Sequence, residues 1–158
     1  MDKRLKNLEI RLPDNWNDIS EDNPNGPPTF IDDTIDNSGV LQISTAEFLS
    51  GKIPNPGLSD LSELSKNMGV KNNFGELQNE ISGKCDYGIF GYAQFSNPQF
   101  PYASIWHISD GQNFIFATFI CSIAPDQKHV DDVFNILISI KRNDSWHPCL
   151  DSSGSVND

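Results

Sequence analysis

The most informative pattern of apolar and polar positions lies between residues 102 and 142. Two runs rich in β-branched and aromatic residues, Tyr102–Ser109 and residues 113–123, flank the dipeptide Asp110-Gly111. This dipeptide favours a type I′ hairpin turn, in which both central residues have φ > 0. The second run is almost continuously apolar, whereas a strand with one solvated face alternates. We therefore predict an antiparallel hairpin whose second strand is central and covered on both faces.

The segment after this hairpin has helical periodicity. Its apolar residues share one helical face and are Val130, Val133, Phe134, Leu137 and Ile138. Asp126 is a candidate N-cap, and Lys141 and Arg142 are placed to interact with the C-terminal helix dipole. This helix is predicted to cover one face of the sheet.

A second helix is predicted between residues 58 and 69. Leu58, Leu61, Leu64 and Met68 share one of its faces, and Gly69 stands where a left-handed C-cap is expected. This helix is the candidate cover for the opposite face.

The remaining strands follow from shorter patterns. Leu8, Ile10 and Leu12 alternate with polar residues up to Pro13, and residues 39–45 alternate again. Residues 77–85 and 87–96 read as a hairpin with a tight connection near residues 86–88. Sequential hairpins with two covering helices predict an α+β fold, a single-domain α/β/α sandwich on an antiparallel sheet of about six strands. The domain spans residues 1–143, and residues 144–158 form a polar tail.

Charge changes this picture most between residues 14 and 36. This stretch contains no Lys or Arg, and its seven acidic residues are Asp14, Asp18, Glu21, Asp22, Asp32, Asp33 and Asp36. Because Pro24, Gly26, Pro27 and Pro28 interrupt it, we predict a long acidic loop with at most brief strand pairing at Phe30 and Ile31.

The acidic loop carries most of the excess charge of the chain. The net charge is −11, and removing the seven carboxylates leaves −11 + 7 = −4 for all other residues. Such a surface repels nucleic acid and anionic membrane, and it steers a basic protein partner toward one face. Trp16, Tyr92, Tyr102 and Trp106 are candidate aromatic anchors for such a partner. The simplest alternative is that the loop is solvated surface and the aromatic residues belong to the core.

Motifs for chemistry are absent from the sequence. Cys85, Cys121 and Cys149 have no metal-ligand spacing, there is no GxSxG elbow, and His107, His129 and His147 do not mark a catalytic base. Glu21, Asn23, Asn25, Gly26 and Asp32 fall near the offsets of a calcium loop, but prolines interrupt them and no flanking helices are predicted. We therefore predict no enzyme, cofactor or metal site. With no signal-like or transmembrane run, the predicted location is the cytoplasm.

Several segments together resemble a known fold family. They are LEIRLPDNW, TFID followed by GVLQIS, the leucine-spaced helix ending in MG, GIFGYAQF, SIWHISDGQNFIFATFIC and VDDVFNILISIKR, and they span about residues 8–142. The chain is similar to small bacterial proteins with the Mog1/PsbP-like fold, including families proposed as immunity proteins of toxin systems. The Pro-rich acidic loop and the polar tail depart from that pattern.

This resemblance implies a function that the motifs alone do not give. The leading hypothesis is a cytoplasmic immunity protein that binds a cognate basic toxin and blocks its active site or substrate path. The alternative is an adaptor or chaperone-like binding module of the same fold. A hydrolase, the third class, requires a nucleophile and a base, which the sequence does not indicate.

Overall fold

The computed structural model describes residues 2–5, 8–46 and 50–143 of the 158-residue chain. It contains a seven-stranded antiparallel sheet, a three-stranded sheet and two α-helices in the part of the chain that it describes. In chain order the elements are β1 (Asp2–Leu5), β2 (Leu8–Arg11), β3 (Trp16–Asp18), β4 (Thr29–Asp32), β5 (Val40–Ala46), α1 (Leu58–Lys71), β6 (Glu76–Cys85), β7 (Gly88–Ser96), β8 (Tyr102–Ser109), β9 (Phe114–Cys121), α2 (Gln127–Ile138) and β10 (Lys141–Arg142).

The large sheet has the strand order β3-β4-β5-β9-β8-β7-β6. Strands β6 to β9 form the predicted antiparallel meander, and β5 pairs with β9 along its whole length. The predicted α+β fold on an antiparallel sheet is confirmed, with seven strands in place of about six. A second sheet, β1-β2-β10, adds a strand at Asp2–Leu5 that the sequence pattern did not predict.

The two faces of the large sheet are covered unequally. Helix α1 packs mainly on β6, β7 and β8, whereas β2 and α2 join the core on the opposite face. The strand buried on both faces is therefore β8, and the prediction that β9 has this place is wrong. In β9 one set of side chains is buried while the alternate set, which includes Phe116, is only half-buried.

Helix α1 presents a different face to the sheet from the predicted leucine stripe. Its buried residues are Leu61, Ser62, Ser65 and Gly69, while Leu58 and Leu64 are exposed. Small residues face the sheet because the helix lies close to it: a Cβ on Gly69 would stand 2.2 Å from the Phe95 ring. Gly69 is thus inside the helix, and the left-handed residue after the helix is Asn73, with φ 59°.

The β8–β9 connection also differs from the predicted turn. Strand pairing stops at Ser109 and Phe114, so the loop has four residues, and of these only Gly111 has a positive φ. This loop is not a type I′ turn. The Asp110 carboxylate stabilises it by accepting hydrogen bonds from the backbone N–H groups of Gln112 and Asn113 at 3.0 and 2.8 Å. Asp110 also forms an ion pair with Arg142. The prediction placed Lys141 and Arg142 against the C-terminal dipole of α2, but the helix ends at Ile138 without a basic residue in its last turn. Both residues instead form strand β10, which pairs with β2.

Residues 14–36 contain two paired strands instead of the predicted long acidic loop. They form an antiparallel hairpin in which Trp16 pairs with Asp32 and Asp18 with Phe30. A 3-10 turn at Ser20–Asp22 and the proline-containing stretch lie between the two strands. Strand β4 then pairs with β5, so this hairpin forms one edge of the large sheet.

Strand β6 forms the opposite edge of the large sheet. It is ten residues long and largely exposed, with a register irregularity between Leu77 and Asn79. Neither described helix is long and apolar enough to cross a membrane.

Candidate interaction surface

The acidic hairpin is fixed to the body of the protein by Trp16. Its indole is 2% exposed and lies 5.3 Å from the His129 ring and 6.5 Å from the Phe119 ring, measured between centroids. The indole Nε1–H donates to Asp132 Oδ2 on α2 at 3.1 Å. Trp16 therefore anchors the hairpin to α2 from inside the protein.

His129 continues this contact at the start of α2. The Asp126 side chain caps the helix by accepting from the His129 backbone N–H at 2.9 Å, which confirms the predicted N-cap. His129 Nε2 accepts from the Gly39 N–H at 3.2 Å, so the neutral ring carries its proton on Nδ1. Burial lowers the pKa of His129 and outweighs the opposing effect of nearby carboxylates. The ring is thus a neutral packing element.

Two carboxylates at the base of the hairpin are used internally. Asp32 is 2% exposed and accepts from Asn15 Nδ2 at 2.8 Å and from Thr34 N at 2.9 Å. Burial alone raises the pKa of Asp32, but hydrogen bonds from Thr34 and Asn15 outweigh it and hold the pKa below its ordinary value. Asp132 accepts from Trp16 and pairs with Lys128 Nζ at 3.1 Å. Both groups serve the attachment of the hairpin.

Asp18 has a similar local role. Its Oδ1 accepts from the backbone N–H and the hydroxyl of Ser20, and the Ser20 Oγ accepts from Thr29 N at 2.9 Å. These bonds shape the turn that follows β3.

The other carboxylates of the hairpin point to solvent. Asp14, Glu21, Asp22, Asp33 and Asp36 are exposed, and their carboxylates make no hydrogen bond or ion pair with another described residue. Asp126, the N-cap residue of α2, and Asp131 in its first turns are exposed as well. We call this group of seven residues the acidic surface. Asp36 and Asp126 line one cavity where the base of the hairpin meets the start of α2, whereas Glu21 and Asp22 lie in the 3-10 turn at the other end of the hairpin.

A cavity of about 220 Å³ opens within this junction. Its lining includes the acidic residues Asp36 and Asp126, the His129 ring and the apolar residue Ile123, which is 55% exposed. Gly39 forms part of the wall, and a Cβ there would come within 2.5 Å of the Phe119 ring and of Cys121 Sγ. The glycine therefore lets the backbone at this position pack closely against the buried side chains of Phe119 and Cys121.

Four of the predicted site residues lie in the core. Trp16 and Asp32 are buried at the base of the hairpin, as described above. Tyr92 and Trp106 pack against each other at 4.9 Å and against Phe134 of α2. With exposures of 5% and 2%, they are core residues and cannot serve as surface anchors.

A Ser–His contact joins α1 to the sheet. Ser65 Oγ lies 2.8 Å from His107 Nδ1, and it is also 3.2 Å from the Gly91 carbonyl oxygen. Both side chains are buried beneath α1, and burial lowers the pKa of His107 to about 4. Because α1 covers the pair, we interpret it as a hydrogen bond between helix and sheet.

The described residues contain no cluster of three or more His, Cys, Asp or Glu side chains arranged to hold a metal ion. Cys121 is a buried free cysteine, and its burial raises the pKa of the thiol to about 12. Cys85 is half-buried, and Cys149 lies outside the described residues.

Sequence reasoning missed part of this surface. Asp126 and Asp131 join the hairpin carboxylates only because Trp16 binds α2, and the two segments are about 100 residues apart in the chain. A signal was nevertheless present, since Asp131 and Lys128 lie outside the apolar stripe of the predicted helix.

Comparison with known proteins identifies a similar fold but does not identify a family. No protein-family model and no curated protein matches this sequence. The solution structure of cyanobacterial PsbP (CyanoP) from Synechocystis sp. PCC 6803 superposes with a TM-score of 0.55 at 13% identity, over 90% of this chain and 91% of that one. A protein from Bacteroides thetaiotaomicron VPI-5482 also matches, with a TM-score of 0.49 at 13% identity, over 86% of this chain and 45% of that one.

Proposed function

We propose that this protein is a non-enzymatic binding module whose acidic surface receives a basic protein partner. The supporting observation is the division of carboxylates in the hairpin. Asp18 and Asp32 are occupied with internal hydrogen bonds, whereas Asp33 and Asp36 on the same segment have none from their side chains within the described chain. Exposed charges contribute little to the free energy of folding, so these carboxylates are available to interact with a partner.

Physical chemistry favours a basic protein over the other charged partners. Solvent-exposed carboxylates concentrated on one side of a molecule with net charge −11 accelerate encounter with a positive surface. They repel the phosphates of nucleic acids and the headgroups of anionic membranes. The proposal therefore includes neither nucleic acid nor membrane as a partner.

Within this role, the protein acts as a cytoplasmic immunity protein that covers the active site or substrate path of a cognate bacterial toxin. The resemblance of residues 8–142 to proposed immunity families supports this assignment, and the PsbP-like fold agrees with that resemblance. The second candidate is an adaptor or chaperone-like module with a housekeeping partner. A toxin gene beside the gene for this chain would favour the first role over the second.

The experiment begins with identification of the partner by affinity capture from the native host. Association of the purified partner is then measured by stopped flow at low salt and at about 0.15 M, where the Debye length is about 8 Å. The test variant carries Glu21→Gln, Asp22→Asn, Asp33→Asn and Asp36→Asn. The matched control carries four exposed substitutions elsewhere, Glu63→Gln, Glu76→Gln, Glu80→Gln and Asp86→Asn, so both variants have a net charge of −11 + 4 = −7.

We expect the test variant to associate roughly tenfold more slowly than wild type at low salt and to respond less to added salt. The control should stay close to wild type, because its charges lie away from the acidic surface. Equal association rates for the two variants would remove the acidic surface from the mechanism. Rescue of cells that express the captured partner then separates an immunity protein from an adaptor.

A further inference from the structure

The large sheet has an uncovered area on the face that carries α1. The helix packs mainly on β6 to β8, so within the part of the chain that the structure describes, the residues of β9 and β5 on that face have little helical cover. Thr118 and Gln42 pair across these strands and are half-buried, as is Ile120. Val40 is 36% exposed. This leaves a shallow depression next to the C-terminal end of α1.

Two adjoining cavities occupy this depression. One, of about 260 Å³, lies between the end of α1 and the β7–β8 loop, and the other, of about 330 Å³, lies over β5 and β9. Phe100 and Ile120 line both cavities, which therefore adjoin at these two side chains. We call this pair of adjoining cavities the neutral groove.

The chemistry of the neutral groove differs from that of the rest of the surface. None of the described residues that line the two cavities is charged, although the chain as a whole is 21% charged. The large apolar side chains in this lining are Phe100, Ile120 and Val40. Asn73 and Gln99 line the groove with side-chain amides that make no hydrogen bond to any described residue. Each amide offers both a donor and an acceptor, which matches the N–H and C=O of a peptide backbone.

The neutral groove meets the acidic surface at one end of the sheet. Ser38 and Ser122 line the groove, while their chain neighbours Gly39 and Ile123 line the acidic cavity that contains Asp36 and Asp126. The surface therefore changes along its length from carboxylates, through the exposed side chain of Ile123, to uncharged amides over an apolar floor.

We propose that this continuous surface binds an extended peptide segment of a partner protein. The segment has basic residues at the acidic end and uncharged residues, including an apolar side chain over Phe100 and Ile120, in the neutral groove. This inference rests on the proposed function and specifies which part of the partner is recognised. Charge complementarity selects this occupant, because a second copy of the chain would bring another net charge of −11 against the carboxylates.

The test uses a phage-displayed library of random eight-residue peptides, selected on the wild-type protein at low salt. We expect the selected sequences to have basic residues at one end and uncharged, apolar residues at the other. A synthetic copy of the consensus is then titrated against three variants. Gln42→Tyr fills the groove, Ala46→Tyr adds the same ring on the same face of β5 outside it, and Asp33→Asn/Asp36→Asn removes charge from the acidic end.

The expected results are a loss of at least tenfold in affinity for Gln42→Tyr and wild-type affinity for Ala46→Tyr. The Asp33→Asn/Asp36→Asn variant should bind more weakly and with a smaller salt dependence. Failure to enrich a consensus, or equal affinity of Gln42→Tyr and wild type, would overturn the inference. A concentration-dependent dimer that Gln42→Tyr abolishes would also overturn it, since the occupant would then be a second copy.

The two proposals fail in different ways. If the captured partner associates normally with Gln42→Tyr but slowly with the four-carboxylate variant, the neutral groove is not a peptide site and the proposed function stands. If the peptide depends on Gln42 while the partner ignores the carboxylates, the proposed function fails instead.

Discussion

Truncation of Phe119 should lower the free energy of unfolding and thereby test how the sheet is covered. This side chain is 0% exposed, and its ring lies 5.1 Å from His129, 5.9 Å from Tyr102 and 6.5 Å from Trp16 between centroids. Truncation to alanine removes a fully buried ring from this cluster and leaves a cavity that the surrounding sheet and helix cannot close. Such substitutions cost about 3–5 kcal/mol of unfolding free energy.

The matched comparison is Phe116 on the same strand. It points to the face that carries α1 and is only half-buried, at the margin of that helix. Because its site is open to solvent, Phe116→Ala should lose only about half of the free energy of burying a phenylalanine, or about 1 kcal/mol. The two variants differ in environment and share strand and side-chain chemistry.

Urea titration followed by circular dichroism measures this difference directly. The transition midpoint of Phe119→Ala should fall with little change in slope, and its melting temperature should drop by roughly 6–20 °C for a domain of this size. Equal losses for the two variants, or a loss for Phe119→Ala of about 1 kcal/mol or less, would refute the unequal covering of the sheet.

Two further predictions concern α1. Burial lowers the pKa of His107 to about 4, so below about pH 6.5 the unfolded chain binds a proton at this residue and the folded chain does not. The free energy of unfolding should therefore fall by about 3 kcal/mol between pH 6.5 and 4 because of this group. Urea midpoints should depend less on pH in His107→Gln than in wild type, and an equal pH dependence would contradict the buried neutral ring. Gly69→Ala should destabilise the folded protein by about 1–3 kcal/mol, because the new Cβ would stand 2.2 Å from the Phe95 ring. In thermal melts the control Asn67→Ala, on the exposed side of α1, should be neutral or slightly stabilising. Wild-type stability of Gly69→Ala would mean that α1 lies farther from the sheet.

The meander and α2 could be predicted because each is written in local periodicity. The apolar stripe of α2 and its Asp126 cap depend on residues within a few positions of one another, and the cap is confirmed at 2.9 Å. The buried face of α1 could not be predicted in the same way. Its sheet-facing side uses Ser62, Ser65 and Gly69, and these small residues carry no hydrophobic signal even though close packing requires them.

The candidate site was harder to predict, since it depends on contacts between distant segments. Composition identified the acidic stretch correctly but could not separate Asp32, which is buried and bonded to Thr34, from the adjacent Asp33, which is exposed. Nothing in the local sequence indicates that Trp16 points inward to Asp132, 116 residues away. The neutral groove has no motif, because it arises where α1 leaves part of the sheet uncovered.

The exposed edge at β6 bears on how this protein behaves at high concentration. Ten residues of free strand edge offer a template on which an unrelated chain, or a partly unfolded copy, could add a strand. The irregular register between Leu77 and Asn79 interrupts the even spacing that such an added strand needs, and Glu76, Glu80 and Lys84 place charges along the edge. Deletion of Gln78 should straighten this strand and so favour aggregation at high protein concentration, which light scattering would measure.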